Sequence, residues 1–220
     1  ISVTSEEFLL IYPFNTIEQE MMKDRAFVLR IVVVYSPVEC ERRTRMAKRY
    51  EELTISDDFM FGKAMGDKVL CRDVLERLLE EKVGELEDVQ PQREFRYTSD
   101  GKPVRLDMYT RDKKRMYDAE MQNLNHQPVE KLELPKRSRF YQSTMDTDHL
   151  SKGKSYRELP EGRVLFLCTF DPFGRGYAKY SFQNLCKEDR ELYLKDGTEK
   201  IFYNCAADPE KVPENLRELY

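Results

Sequence analysis

One stretch constrains this chain more than any other: Val104-Arg-Leu-Asp-Met-Tyr-Thr-Arg-Asp-Lys-Lys-Arg-Met-Tyr-Asp-Ala-Glu-Met-Gln122. It reads as two strands, Val104–Arg111 and Arg115–Asn123, joined by a tight Asp112-Lys-Lys turn. With Lys113-Lys114 as a two-residue loop, Asp112 pairs with Arg115, which sets Asp107 opposite Glu120 and Arg105 opposite Gln122. Side chains alternate along a strand, so directly opposed residues share a face. One face then carries Arg105, Asp107, Tyr109, Asp118, Glu120 and Gln122, and the other carries Leu106, Met108, Tyr117, Ala119 and Met121. Lys-Lys is not a favoured tight-turn pair, so a longer loop is open. A shift of pairing by two would keep these faces, whereas a slip of one would bury the carboxylates.

Two carboxylates facing each other across a hairpin repel unless a cation sits between them or one takes up a proton. An all-oxygen site suits a hard cation, Mg²⁺ or Mn²⁺. Such an ion polarises a phosphate and acidifies bound water, which phosphodiester hydrolysis requires. For an isolated hairpin, the simpler reading is a pair of solvated acids on the open face of a sheet.

Around the hairpin, Ser56, Asp57 and Asp58 offer caps for a helix reaching about Lys82, with Gly84 as its stop. Phe61, Met65 and Val69 lie four apart, and Val74, Leu75, Leu78 and Leu79 continue a buried stripe. A strand is expected at Arg93–Thr98 and a turn over Ser99–Pro103. A second helix is expected from Leu134-Pro135 to about Leu150. Arg163–Phe170 reads as a buried strand, and Tyr177–Leu185 and Lys200–Asn204 as two more, with a turn at Asp196-Gly197. Earlier in the chain, Phe27–Tyr35 fits a short strand and Glu41–Arg49 a basic helix. The expected order is therefore helix, three-stranded antiparallel meander, helix, further strand and additional C-terminal strands, an α/β chain.

At this point the chain resembles the PD-(D/E)XK nuclease family transposases, also called recombination-promoting nucleases. The resemblance rests on Asp58-Phe-Met-Phe61, Arg-Leu-Asp107, Asp118-Ala-Glu120-Met-Gln122, Leu134-Pro-Lys-Arg-Ser-Arg-Phe-Tyr-Gln142 and Asp171-Pro-Phe-Gly174, in that order. It implies a restriction-endonuclease-like core, Mg²⁺-dependent DNA cleavage and a link to transposition or recombination. Under it, Asp107 and Glu120 are the metal carboxylates, and Asp58 is a third acidic ligand or simply a helix cap. Gln122 stands where the superfamily name has a lysine. A neutral amide orients water or phosphate only by hydrogen bonds, so a cation must come from elsewhere or the rate is modest. Residues 51–204 form the nuclease-like domain, 1–50 an atypical extension, and 205–220 a tail shorter than the family's usual helical ending. An inactive, DNA-associated or protein-interaction module keeping the fold is the alternative.

On the second helix, Lys136, Arg139 and Phe140 share one side, and Arg137 and Tyr141 another. These cations could hold a DNA backbone and partly replace the absent lysine. The bland alternative puts Phe140 in the core and the cations in water. Asp146, Asp148 and His149 are expected to be solvated, His126 lies in a loop, and Gly174-Arg-Gly176 is a turn. The five cysteines are odd in number and widely spaced, fitting neither a disulfide framework nor a zinc knuckle, and none has a base partner.

Composition narrows the class. Of 220 residues 35% are charged, against roughly 25% in an average domain. Yet 12 Phe and 13 Tyr supply one core. With 37 Lys plus Arg against 41 Asp plus Glu, the net charge of −4 excludes a histone-like cationic binder while leaving room for a local basic face. No apolar stretch approaches the roughly 18 residues that span a bilayer. Residues 1–20 lack the pattern of a secretory leader. DNA as partner, no membrane contact and a reducing, cytoplasmic compartment are the expectations.

Overall fold

The computed structural model describes residues 56–96, 103–123, 128–214 and 216. The readings at Phe27–Tyr35, Glu41–Arg49 and His126, and much of the Ser99–Pro103 turn, lie outside them. The single helix expected up to Lys82 is two: α1 (Asp58–Gly66) and α2 (Lys68–Leu79). Asp67 separates them in an extended conformation, and its carboxylate caps α2 by accepting the Leu70 N–H at 2.8 Å. This break shifts the phase of the buried stripe. Phe61, Met65, Val74, Leu75 and Leu78 are buried as expected, but Val69 is 60% exposed and Cys71 takes an inward position. The helix also ends earlier, at Glu80 in the left-handed region (φ 59°). Gly84 has a different duty. Its N–H donates to Asp112 Oδ2 at 2.9 Å, and a Cβ there would lie within about 3 Å of that carboxylate.

Among the described residues, six strands form one sheet: β1 (Gln90–Phe95), β2 (Val104–Arg111), β3 (Arg115–Gln122), β4 (Glu161–Cys168), β5 (Lys179–Phe182) and β6 (Thr198–Asn204), in the order β1-β2-β3-β4-β6-β5. β1, β2 and β3 make the expected antiparallel meander. β3, β4 and β6 run parallel, and β5 closes the far edge antiparallel to β6. Parallel neighbours require a crossover. Between β3 and β4 it is α3 (Pro128–His149), which starts a turn and a half before the expected Leu134-Pro135, so that Pro135 is inside the helix. Ser138 Oγ donates to the Pro135 carbonyl at 2.9 Å. β1 begins and ends three residues before its expected bounds. β4, β5 and β6 keep their expected places with shifted or trimmed ends.

The hairpin register is the one expected, from Arg111 opposite Met116 to Met108 opposite Ala119. Asp112 makes the unfavoured Lys-Lys turn workable. Its Oδ1 accepts the N–H groups of Lys114 (2.7 Å) and Arg115 (2.8 Å), and its Oδ2 accepts those of Gly84 and the Tyr117 hydroxyl (2.9 Å). The sheet is covered on both faces. Against one, α1 and α2 pack Phe61, Met65, Leu75 and Leu78 onto Met108, Tyr117, Ala119, Met121, Leu165 and Tyr203. Val212 and Leu216 join that core from the last described residues. Against the other, Leu134 and Met145 of α3 meet Tyr109, Met116, Val164, Phe166 and Phe202. Leu106, expected beside Met108, belongs with Val104 to this second core. The alternation of β2 therefore breaks at Asp107. Gln92, which faces Asp107 from β1, is itself left-handed (φ 51°).

Asp112→Ala should cost about 2–4 kcal/mol in urea unfolding, because it orphans several inward-facing donors together. The wild-type contribution should also be acid-sensitive. Burial alone would raise this carboxyl, but its hydrogen bonds outweigh that and hold it below the usual range. Its stabilisation is thus complete above the ordinary aspartate value near 3.9 and lost as pH falls below that value and through the folded one.

Candidate active site

The site lies where the β2/β3 ladder stops. In a continued register the Met121 N–H would reach the Leu106 carbonyl. Instead it donates to Asp107 Oδ2 (3.2 Å), while the Asp107 N–H donates to Glu120 Oε1 (2.7 Å). The two carboxylates thus replace backbone carbonyls across the break, and hold the strands apart in a defined way. Asp107 and Glu120 are brought together as the register requires.

The open polar face is not open. α3 covers it, leaving Asp118, Glu120 and Gln122 at 0%, 2% and 8% exposure. Burial, then the charge of Asp107, pushes the Glu120 carboxyl up to about 8. Asp118 is raised well above the ordinary range by burial first, then by the charges of Glu120 and Asp107. In its protonated form the Asp118 carboxyl donates to Glu120, which helps to hold the Asp118 proton and offsets part of the rise at Glu120.

Arg137 is the cation set against these acids. Its Nη1 donates to Gln122 Oε1 at 2.6 Å, and its Nη2 lies 3.5 Å from Glu120 Oε2. Nε and Nη2 both donate to the Tyr141 hydroxyl (3.2 and 3.0 Å). The guanidinium also rests over the rings of Tyr141 and Phe166, 5.4 and 5.5 Å from their centroids. Tyr141 stacks in turn on Phe166 of β4, and burial followed by the charge of Glu120 pushes its phenol up to about 12.

The other expected residues are distributed unevenly. Lys136 and Arg139 are exposed on the outer side of α3 with Phe140, which is 45% exposed and not in the core. Asp58 opens α1, whose entry is anchored nearby: Asn123, next to Gln122, donates to the Ser56 carbonyl at 2.5 Å. The cluster at the end of α3, expected to be solvated, makes specific contacts. Asp148 takes a 2.7 Å ion pair from Arg93, and His149 Nδ1 lies 3.1 Å from Arg111. Gly174 and Gly176 form the expected turn, both with positive φ, and their N–H groups donate to Asp171. Burial pushes the Cys71 and Cys205 thiols up to about 12, so neither is a ready nucleophile.

Among the described residues, no three His, Cys, Asp or Glu side chains form a preassembled cation cage. The donor set nevertheless fits a hard dication of the Mg²⁺ kind. Such an ion keeps much of its water and takes one or two carboxylates plus substrate phosphate. Asp107 and Glu120 supply that pair, and the fully buried Asp118 carboxyl beside them adds to the negative charge that a cation would offset. Sequence reading placed Asp118 on this face without a role. It singled out the Arg137–Tyr141 spacing but not the grip of Arg137 on Gln122.

The sequence matches the family model for PD-(D/E)XK nuclease family transposases over residues 58–203. No curated protein and no solved structure matches the chain. Among the described residues, no helix is long and apolar enough to cross a membrane.

In the absence of divalent cations, stability should fall as pH rises from about 4.5 to about 8. The raised Glu120 carboxyl binds a proton in the folded state that the unfolded chain has already lost. Glu120→Gln should flatten that slope in urea titrations at successive pH values.

Proposed function

Since the chain belongs to the PD-(D/E)XK nuclease family transposases, we propose that it is a Mg²⁺-dependent DNA endonuclease, Mn²⁺ substituting, that serves transposition or recombination. The observation that carries this reading is the break in the β2/β3 ladder, where Asp107 and Glu120 converge under α3. In this reading both carboxylates hold the ion, with Asp58 at the entry of α1 as a third acidic ligand. The bound cation supplies charge stabilisation at the scissile phosphate and a more acidic water. Gln122 orients that water or a phosphate oxygen through its amide. The exposed Lys136 and Arg139 meet the DNA backbone beside the site. Covering by α3 excludes bulk water from the acids, which strengthens every electrostatic contact made there.

A second reading has its own support. Backbone amides and Arg137 already engage the carboxylates, and Gln122 contributes no charge, as suits an inactive module that keeps the fold. Plasmid nicking with Mg²⁺, Mn²⁺, Ca²⁺ or EDTA separates the two. Nicking with Mg²⁺ that EDTA abolishes supports the enzyme, and its absence supports the module.

Mg²⁺ at 100 times its dissociation constant should stabilise the wild type by about 2.7 kcal/mol, and Glu120→Gln or Asp107→Asn should lose this increment in thermal melts. Replacing Lys136 and Arg139 together by alanine should weaken binding similarly for unrelated DNA sequences. The slope of log K against log salt should shrink by about 2, one counterion per lost phosphate contact. An unchanged slope in the folded double variant would leave that side of α3 as scaffold.

A further inference from the structure

The three basic residues of α3 are not equivalent. Lys136 and Arg139 stand in solvent, whereas Arg137 is drawn inward, fixed at Tyr141 and spent on Gln122 and Glu120. A guanidinium meant only for DNA backbone would gain nothing from this. Its grip is also layered: Phe166 backs Tyr141, Tyr141 holds Nε and Nη2, and Nη1 alone reaches the amide of Gln122. The pair with Glu120 is the loosest contact of the set, at 3.5 Å. Glu120 is also a carboxylate a dication would take. Two cations cannot both be served fully by one buried carboxylate, so ion and arginine compete for it.

From this we infer, resting on the nuclease reading above, that Arg137 is an exchangeable counter-cation and a catalytic residue. While no divalent ion is bound, its Nη2 rests 3.5 Å from Glu120 Oε2. When Glu120 is given over to the divalent ion, the guanidinium stays anchored on Tyr141 through Nε and one N–H of Nη2, and the other N–H of Nη2 is released to the scissile phosphate. A planar donor fork suits a phosphate that gains charge in the transition state, and it stands in for the ammonium that Gln122 cannot provide. Tyr141 is its positioning residue: it fixes where the fork points and never touches substrate. Gln122 keeps the other end of the fork in register.

The inference makes two readouts move in opposite directions. In Arg137→Met the competitor for Glu120 is gone, so calorimetry at a pH where Glu120 is ionised should show Mg²⁺ binding tightened on the order of tenfold, the scale of one nearby charge. Single-turnover cleavage at saturating Mg²⁺ and DNA should fall about 100-fold or more, the usual cost of one transition-state donor. Arg137→Lys should recover part of the rate. Tyr141→Phe should lower the rate with DNA affinity unchanged, because only the aim of the fork is lost. A merely structural arginine would not tighten metal binding when removed, and circular dichroism melts report whether each variant is folded. Unchanged or weaker Mg²⁺ binding in Arg137→Met, or an unchanged rate, overturns the inference while leaving the nuclease reading intact. A wild type that neither binds Mg²⁺ nor cleaves overturns both. If Arg137→Met does not fold, Arg137→Lys decides, and full wild-type rate with unchanged metal affinity and unchanged response to Tyr141→Phe counts against the inference.

Discussion

A strand buried on both faces normally carries apolar residues throughout, yet β3 places Asp118, Glu120 and Gln122 on its covered side. Everything around the site follows from how that burden is met. Ionised carboxylates in such a place need protons, donors or cations, and the structure supplies each in part. Asp118 and Glu120 are shifted toward their protonated forms, the Asp107 amide donates to Glu120, and Arg137 sets its guanidinium 3.5 Å from Glu120. An apolar strand would be the more stable choice, since buried ion pairs rarely repay their desolvation.

Geometry at the site depends on a turn several residues away. Asp112 gathers the Lys114, Arg115 and Gly84 amides and the Tyr117 hydroxyl, and so pins a two-residue loop that its own sequence would not favour. A hairpin with that loop has one register, and the register sets Asp107 against Glu120. Two residues past the last regular bonds the ladder then parts. The left-handed Gln92 on β1 and the transfer of Leu106 to the other core mark a local irregularity of the sheet where the carboxylates meet.

The second role of the sheet is to present α3. The crossover from β3 to β4 lays this helix across the acidic face, and the stacking of Tyr141 on Phe166 fixes its rotation. Arg137 is thereby turned inward while Lys136, Arg139 and Phe140 are turned out. The departure at Gln122 from the superfamily's lysine is met by a cation from a different element, at 2.6 Å from the very amide that replaced it.

How much of this was written in the chain itself can be said residue by residue. Alternation over Val104–Gln122 determined the hairpin, its register, and the meeting of Asp107 with Glu120, because a period-two pattern with one short turn admits few pairings. The ordered motifs determined the family and the α/β order of elements. The sequence did not reveal the break at Asp67, since a capping carboxylate within an apolar stripe looks like one more polar helical position. Nor did it reveal the start of α3 at Pro128, because Pro135 offers an equally good first-turn signal. Burial of the polar face was decided by the tertiary structure alone. Whether Asp118 and Glu120 meet water or a helix depends on where a crossover packs, and packing is a property of distant surfaces rather than of local spacing. The same holds for Arg137: its spacing from Tyr141 is legible, but its reach to Gln122 exists only once α3 and β3 are pressed together.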